Sequence, residues 1–580
     1  MSKLLPGQDL LQQAGRRRFL IKLSALSAVM ASGMAISANG DDNVGGTPAQ
    51  LGTVAFDYGV ASGDPLPDRV ILWTHARLAS DMPVPLLWQV ALDAAFTRIV
   101  AGGKTVALPE HDFTVKVDAT GLAPDNAYFY RFIGANNAIS PVGRTRTLPV
   151  GRVDQVKFAV FSCSNYPAGY FNAYDAACGS DAQFALHLGD YIYEYEDGIY
   201  PKPDRAVKSR EPQPKNEIIS LQDYRTRHAQ YKSDPSAKML HARMPMIAIW
   251  DDHEFANNAY LLGARNHYPA TEGPWPLRRA AACRAWHEWM PVRARDSQNL
   301  LQIYRSFDFG DLLSLHMLDT RIIGREQQPD RSVDNDGTDI DNPAFSPQEF
   351  DLTRQMLGAA QENWLQQRMQ ASRGKWQVLG NQTVMARMLF PKSILDANMG
   401  LSALEAVARA RAIAPDQRTP AQRKLLDPAH NPLQAADFDN WEGYPQARER
   451  LLQQGVEMQR AGKEMLVLSG DSHNAWYNHL RLEDGSLAGV EFAVQSVTSS
   501  GYEGYLLPEK IPPAVLAGHL RALVPEIQYV DTSRRGYMLV TLRQEAAECE
   551  FVFVSSVKSS SYSISSDIVQ YRAVSAGGNI

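Results

Sequence analysis

Residues 184–193 read Phe184-Ala185-Leu186-His187-Leu188-Gly189-Asp190-Tyr191-Ile192-Tyr193, an apolar run that stops at Gly-Asp. A short run of this kind, closed by a turn signal, predicts a strand buried on both faces, as the strands of a parallel sheet are. Three further stretches repeat the pattern. Phe158-Ala159-Val160-Phe161 runs into Ser162-Cys163-Ser164-Asn165-Tyr166. Met246-Ile247-Ala248-Ile249-Trp250 runs into Asp251-Asp252-His253-Glu254, and Met465-Leu466-Val467-Leu468-Ser469 into Gly470-Asp471-Ser472-His473-Asn474. Helical stretches at 349–370 and 403–412 and further strands at 376–379 and 537–540 fall among them. Strands alternating with helices predict an α/β domain, here spanning residues 151–580.

Upstream the text differs. Val70-Ile71-Leu72-Trp73-Thr74, Leu87-Trp88-Gln89-Val90-Ala91-Leu92, Phe113-Thr114-Val115-Lys116-Val117 and Tyr128-Phe129-Tyr130-Arg131-Phe132 are short strands separated by turns. That spacing predicts a small β-sandwich of fibronectin-like shape over residues 51–150. Residues 39–50 read as a polar, glycine-rich linker. Before it, Arg16-Arg17-Arg18-Phe19-Leu20 precedes an apolar, small-residue stretch ending near Ile36-Ser37-Ala38. Residues 1–38 therefore read as a signal peptide with a twin-arginine motif; the alternatives are a plain Sec signal or a lipid-facing anchor. The partner implied is the twin-arginine translocation machinery, which carries folded proteins, and the destination is the periplasm or the cell exterior. No second stretch reaches the ~20 apolar residues of a spanning helix, so no integral membrane segment is expected after processing.

The chain has 580 residues, a formal net charge of -6 and four cysteines. No basic face signals nucleic-acid binding, and four cysteines are too few for a disulfide scaffold. The serine-rich segment 555–566 reads as a strand edge or a flexible tail.

In open α/β sheets, ligands gather beyond the carboxyl ends of strands. Four strands here end in Cys, Asp, His and Tyr, the side chains that ligate metals. Each cluster alone also has a bland reading. Gly189-Asp190 is a common turn, Asp471 and His473 suit a solvated loop, and Cys163 suits a small buried hydrophobe. His253 suits a satisfied surface histidine. Four such clusters, each after a strand, point to one convergent site.

The order Gly-Asp-x-x-Tyr, x-x-His-Glu, Gly-x-x-His resembles the calcineurin-like metallophosphoesterase superfamily, purple acid phosphatases included. The fuller wording is similar to PhoD-type alkaline phosphatases: FDYGVASGDPLPDRVILWTH from Phe56, LHLGDYIYEY from Leu186, WDDHEFANNAY from Trp250 and LSGDSHNAW from Leu468. Leu318-Asp319-Thr320-Arg321 and WQVLGNQ from Trp376 belong to the same resemblance. It implies a four-layer αββα sandwich behind the N-terminal domain, and a hydrolase acting on phosphate esters. It implies Cys163, Tyr193 and His473 on Fe(III), Asp190 bridging two metals, and Asp252 and Asp471 on a second ion. Asp471 stands where the wider superfamily has histidine. That change makes the second site oxygen-rich and suits Ca²⁺ better than Zn²⁺. His253 matches the histidine that faces the substrate phosphate. A metal pair lowers the pKa of water and clamps the oxygens of an in-line displacement.

Arg210, in Lys208-Ser209-Arg210-Glu211-Pro212, is a further candidate as a bidentate phosphate clamp; its bland reading is a solvated loop arginine. Many relatives carry one more histidine ligand, where this chain has Gly380-Asn381-Gln382; an amide oxygen or water is expected there. Residues 334–339 resemble a Ca²⁺ loop but lack the closing glutamate and read as a solvated acidic loop. The expected activity is phosphomonoester hydrolysis with some phosphodiester activity. The alternatives are a dedicated phosphodiesterase or phospholipase-type enzyme, or a secreted binding protein on a degenerate fold.

Overall fold

The computed structural model describes residues 53–328, 351–505 and 511–573. The signal-like segment 1–38, the linker 39–50 and the acidic stretch 334–339 lie outside the described residues.

Two sheets lie face to face and carry helices on their outer sides, the αββα arrangement. The first has nine strands, in the order Ile564–Arg572, Ala546–Val554, Arg535–Arg543, Gln155–Phe161, Phe184–His187, Met246–Ala248, Val60–Leu66, Arg69–His75, Thr114–Thr120. The second has seven: Arg305–Phe309, Leu313–Met317, Trp376–Gly380, Glu464–Ser469, Leu487–Ala493, Ala475–Arg481, Ile527–Asp531. The centre of each sheet is parallel. Gln155–Phe161, Phe184–His187 and Met246–Ala248 run together in the first. Leu313–Met317, Trp376–Gly380, Glu464–Ser469 and Leu487–Ala493 run together in the second.

The continuous apolar runs follow from burial on both faces. Successive side chains of a strand point to opposite sides. Leu466 and Leu468 accordingly join the core shared with Phe158, Val160 and Leu186, while Met465 and Val467 pack with Leu451 and Leu452 of the helix Pro445–Arg460. That helix buries Leu451, Leu452, Gly455 and Met458, one face at helical spacing. Each leucine so buried contributes about 1.5–3 kcal/mol. Phe309 sits edge-on to Phe158 and Phe184, with ring centroids 5.3 and 5.2 Å away, and locks one sheet to the other.

The N-terminal sandwich forms, but one leaf is shared. Ile99–Ala107, Val84–Ala91, Ala127–Ile133 and Gly143–Arg146 make the separate leaf, packed through Leu86, Tyr130 and Phe132 onto Val70, Leu72 and Val115. The opposing leaf is the end of the nine-stranded sheet: Val60–Leu66 runs parallel to Met246–Ala248, with Gly63 opposite Met246. Only glycine fits, because a Cβ at Gly63 would lie 2.2 Å from the Pro291 carbonyl oxygen. Buried Asp64 then takes the Arg305 guanidinium at 2.7 and 2.9 Å.

Two local expectations change. The helix expected over 349–370 is Gly358–Ala371 among the described residues. Gly358, at φ 72° against Gly324, resets the backbone, and residues 351–357 form turns. The serine-rich segment divides: residues 555–563 are loop, and Ile564–Arg572 is the edge strand of the larger sheet. Among the described residues, no helix is long and apolar enough to cross a membrane.

Candidate metal centre

The carboxyl ends of the parallel strands from both sheets supply one pocket. Cys163 follows Gln155–Phe161, Asp190 follows Phe184–His187, and Asp252 and His253 follow Met246–Ala248. From the second sheet, Arg321 follows Leu313–Met317 and Asp471 and His473 follow Glu464–Ser469. Cys163, Asp190, Asp471 and His473 all take left-handed backbone, with φ of 61, 55, 59 and 61°. Non-glycine residues rarely adopt that conformation, and it clusters where a site constrains the chain. The preceding glycines are steric necessities. A Cβ on Gly189 would meet that of Asp251 at 2.3 Å, and one on Gly470 would meet Ser162 Oγ at 2.3 Å.

Three donor groups overlap. Ligand atoms of Cys163, Asp190 and His473 lie within 4.8 Å of one another, as do those of Asp190, Asp252 and His253. The same holds for Asp190, Asp251, Asp252 and Asp471. Asp190 belongs to all three. Tyr193 completes the first: its hydroxyl donates to Asp190 Oδ2 at 2.9 Å, lies 3.3 Å from His473 Nε2, and accepts from Ser499 Oγ at 2.8 Å. His473 Nδ1 lies 2.8 Å from the Ser500 carbonyl oxygen. A carbonyl only accepts, so Nδ1 carries the proton and Nε2 is left as the ligating nitrogen, the arrangement common for metal-bound histidines.

Burial dominates the electrostatics. It pushes the Cys163 thiol well up, with Asp190 adding to it, and raises Asp190 itself, opposed by His253 and reinforced by Asp252. It raises the Tyr193 phenol, where Asp190 adds, and Asp471, where Asp251 adds. Burial holds His473 at about 3, so its ring is neutral. At Asp252 burial is outweighed by Arg321 and then His253, which hold it at about 2. Burial would lower His253, but Asp252, Glu194 and Asp190 prevail and raise it well above the ordinary value.

The donors fit a pair of cations. Asp190 Oδ1, Asp251 Oδ2 and Asp252 Oδ1 are buried oxygens without hydrogen-bond partners. Buried carboxylate oxygens ordinarily have one. Their burial raises the cost of ionisation, whereas a multivalent cation among them inverts that preference. Cys163 and Tyr193 offer a soft sulfur and a phenol oxygen, both electron-rich when ionised, on one side; Asp252 and Asp471 are hard carboxylate donors on the other.

Several supporting residues carry no recognisable signal in isolation. Glu194, fully buried, accepts from His253 Nδ1 at 2.7 Å and from the Asn257 amide at 2.6 Å, fixing the imidazole. Glu254 accepts from the backbone amides of Asp190, Tyr191 and Asp251, tying two strand ends together. Asp251 adds a carboxylate to the cluster, and Arg321 lies among the aspartates. Glu194 and Glu254 stand inside quoted motifs, but spacing alone assigned them nothing.

Arg210 does not join this cluster through any described contact. Its Nη1 is 2.8 Å from Asp234, its Nε donates to the Tyr166 carbonyl, and its face lies 3.7 Å over the Tyr166 ring. Buried at 5 % exposure, it is not a solvated loop arginine. The amide oxygens at 381–382 are engaged as well. Gln382 Oε1 accepts from the Thr320 amide and hydroxyl, and Asn381 Oδ1 from Trp441 Nε1.

Comparison with known proteins identifies the family. Residues 158–551 match the family model of PhoD-like phosphatases, and residues 43–149 match that of the PhoD-like phosphatase N-terminal domain. The chain is 37% identical to alkaline phosphatase D of Bacillus subtilis (strain 168) over 463 residues, 77% of this chain and 70% of that protein. It is also similar to the solved structure of PhoD, with a TM-score of 0.72 and 31% identity, covering 91% of this chain and 92% of that one. The two-sheet frame is that of a known hydrolase family: the chain belongs to the PhoD-like phosphatases.

Proposed function

We propose that this phosphatase is an exported two-metal enzyme that hydrolyses phosphomonoesters, with some phosphodiester activity, using Fe(III) and Ca²⁺. The observation that carries the metal reading is the sharing of Asp190 between a Cys163–Tyr193–His473 group and an Asp252–Asp471 group. Thiolate and phenolate are both anionic and stabilise a trivalent ion better than neutral imidazole does; a carboxylate-rich partner suits calcium. When bound, such a pair supplies Lewis acidity and lowers the pKa of water.

The chain's own residues do the rest. Glu194 fixes His253 through Nδ1 and so directs Nε2 away from that bond. Asp252, Glu194 and Asp190 favour the charged imidazole of His253 against burial, and its ring stacks 4.3 Å from that of Tyr193. A protonated imidazole there can stabilise a phosphoryl oxygen or hand its proton to the leaving oxygen. Arg210 commits Nη1 to Asp234 and Nε to the Tyr166 carbonyl, which leaves only Nη2 without a described hydrogen bond. Its bonding favours a structural role.

Elemental analysis tests the metal reading. Iron and calcium should copurify, with a tyrosinate-to-iron band in the visible and loss of p-nitrophenyl phosphate hydrolysis on chelation. A fully active preparation holding zinc alone would sink it. Export by the twin-arginine route rests on Arg16 and Arg17. Replacing both by lysine should trap the precursor in the cytoplasm, and undiminished periplasmic activity would point to another route.

A further inference from the structure

Arg321 is completely buried, and all three guanidinium nitrogens face carboxylates. Nε lies 2.5 Å from Asp251 and Nη1 2.6 Å from Asp439, while Nη2 lies 3.3 Å from Asp471 and 3.5 Å from Asp252. The four contacts are unequal in a telling way. The short pair goes to Asp251 and Asp439; the long pair goes to the two aspartates assigned to the second cation. Asp252 Oδ1 has no hydrogen bond, so its lone pairs stay available despite the nearby charge.

We propose that Arg321 is a positioning residue: anchored by Asp251 and Asp439, it holds Asp252 and Asp471 in register and thereby sets the affinity of the second-cation half of the centre. This rests on the two-cation reading above. Burying an arginine is costly, and a carboxylate partner repays that cost only with good geometry and further hydrogen bonds. Here four converge, and the frame behind them is itself pinned. The Arg321 amide donates to Asp319 Oδ1 at 2.8 Å, and Asp439 also takes Arg325 at 2.6 Å and Gln328 at 2.9 Å. The planar fork is essential to this role, since a lysine ammonium is a point charge that cannot span the same set. The iron half has no part in it. None of the described contacts of Arg321 involves Cys163, Tyr193 or His473.

The test compares purified wild-type enzyme with Arg321→Lys and Arg321→Gln. Iron stoichiometry, the visible band and calorimetric titration with Ca²⁺ after selective calcium removal are measured, together with circular-dichroism melting. Both variants should bind calcium about 10–100-fold more weakly, the range for lost outer-shell partners of a metal site. They should keep full iron and an unchanged band, and excess calcium should restore kcat. If Arg321→Lys binds calcium like the wild type, charge alone suffices and the positioning role is wrong. If the variants lose iron and calcium together, Arg321 is merely structural; should the glutamine variant fail to fold, the lysine variant decides. Wild-type protein with iron but no calcium isotherm would instead overturn the two-cation reading, and this inference with it.

Discussion

Asp190 is the residue on which the two halves of the site meet, so its loss should differ in kind from the loss of its neighbours. Asp190→Asn should deplete both metals and abolish turnover. Cys163→Ser should weaken iron alone, because a serine hydroxyl is a poor anionic donor near neutral pH. His253→Ala should keep both metals while kcat falls ~10²–10⁴-fold, the usual range for a lost general acid. Cys178, half-buried beyond the site at the end of the helix Asn172–Cys178, is the control, and its serine variant should be near normal. Elemental analysis beside kcat on p-nitrophenyl phosphate reads all four. Loss of metal from His253→Ala, or full iron in Cys163→Ser, would show the roles to be misassigned within a correct family.

At the scale of one element, the helix Leu221–Ser233 carries two costly burials, Lys232 and His228. Its start is ordinary, a capping box in which Ser220 and Asp223 satisfy each other's amides. Its far end buries Lys232, whose Nζ has no carboxylate partner among the described residues and lies 2.8 Å from His241 Nε2. One turn earlier, fully buried His228 has no described hydrogen bond at either ring nitrogen. Burial and then Lys232 hold His228 at about 3, and burial alone drives Lys232 well below its ordinary value. Both groups therefore bind fewer protons folded than unfolded, and their contribution to stability is lost as pH falls. For His228 the loss begins near the unfolded value of ~6.5 and ends near 3. His228→Phe should flatten the fall of stability with acid by up to ~1.4 kcal/mol per pH unit within that window. For Lys232 the loss begins near ~10.4, so Lys232→Met, which removes a buried amine lacking a described carboxylate partner, should raise stability at neutral pH by about 1–3 kcal/mol and Tm with it. Thermal melts across pH read both; an unchanged slope for the phenylalanine variant would show that His228 is solvated in the folded state.

For the whole molecule, the consequential feature is the sheet that crosses the expected domain boundary. Val60–Leu66, Arg69–His75 and Thr114–Thr120 extend the larger sheet beyond Met246–Ala248, and Asp64 ties Arg305 in place. Without residues 53–150, Met246–Ala248 would become an open edge directly before Asp252 and His253, and unpaired apolar edges aggregate. A chain beginning near residue 151 should accordingly be insoluble or inactive, even though the separate family matches divide the protein there. Soluble, fully active truncated enzyme, judged by gel filtration and turnover, would show the shared leaf to be dispensable.

The sequence by itself determined the α/β class and most of the strands, because burial on both faces writes a continuous apolar run, and it showed that four such runs stop at metal-competent residues. Cys163, Asp190, Asp252 and Asp471 were legible for that reason, and so was the strand-rich N-terminal region. Only the tertiary structure decided which residues support them. Glu194 reaches His253 across 59 positions, Arg321 reaches Asp471 across 150, and Arg210 turns to Asp234. No periodicity encodes such pairings. They follow from two sheets meeting face to face, which brings the carboxyl ends of distant strands together and leaves buried charges there to be met by residues far away in the chain.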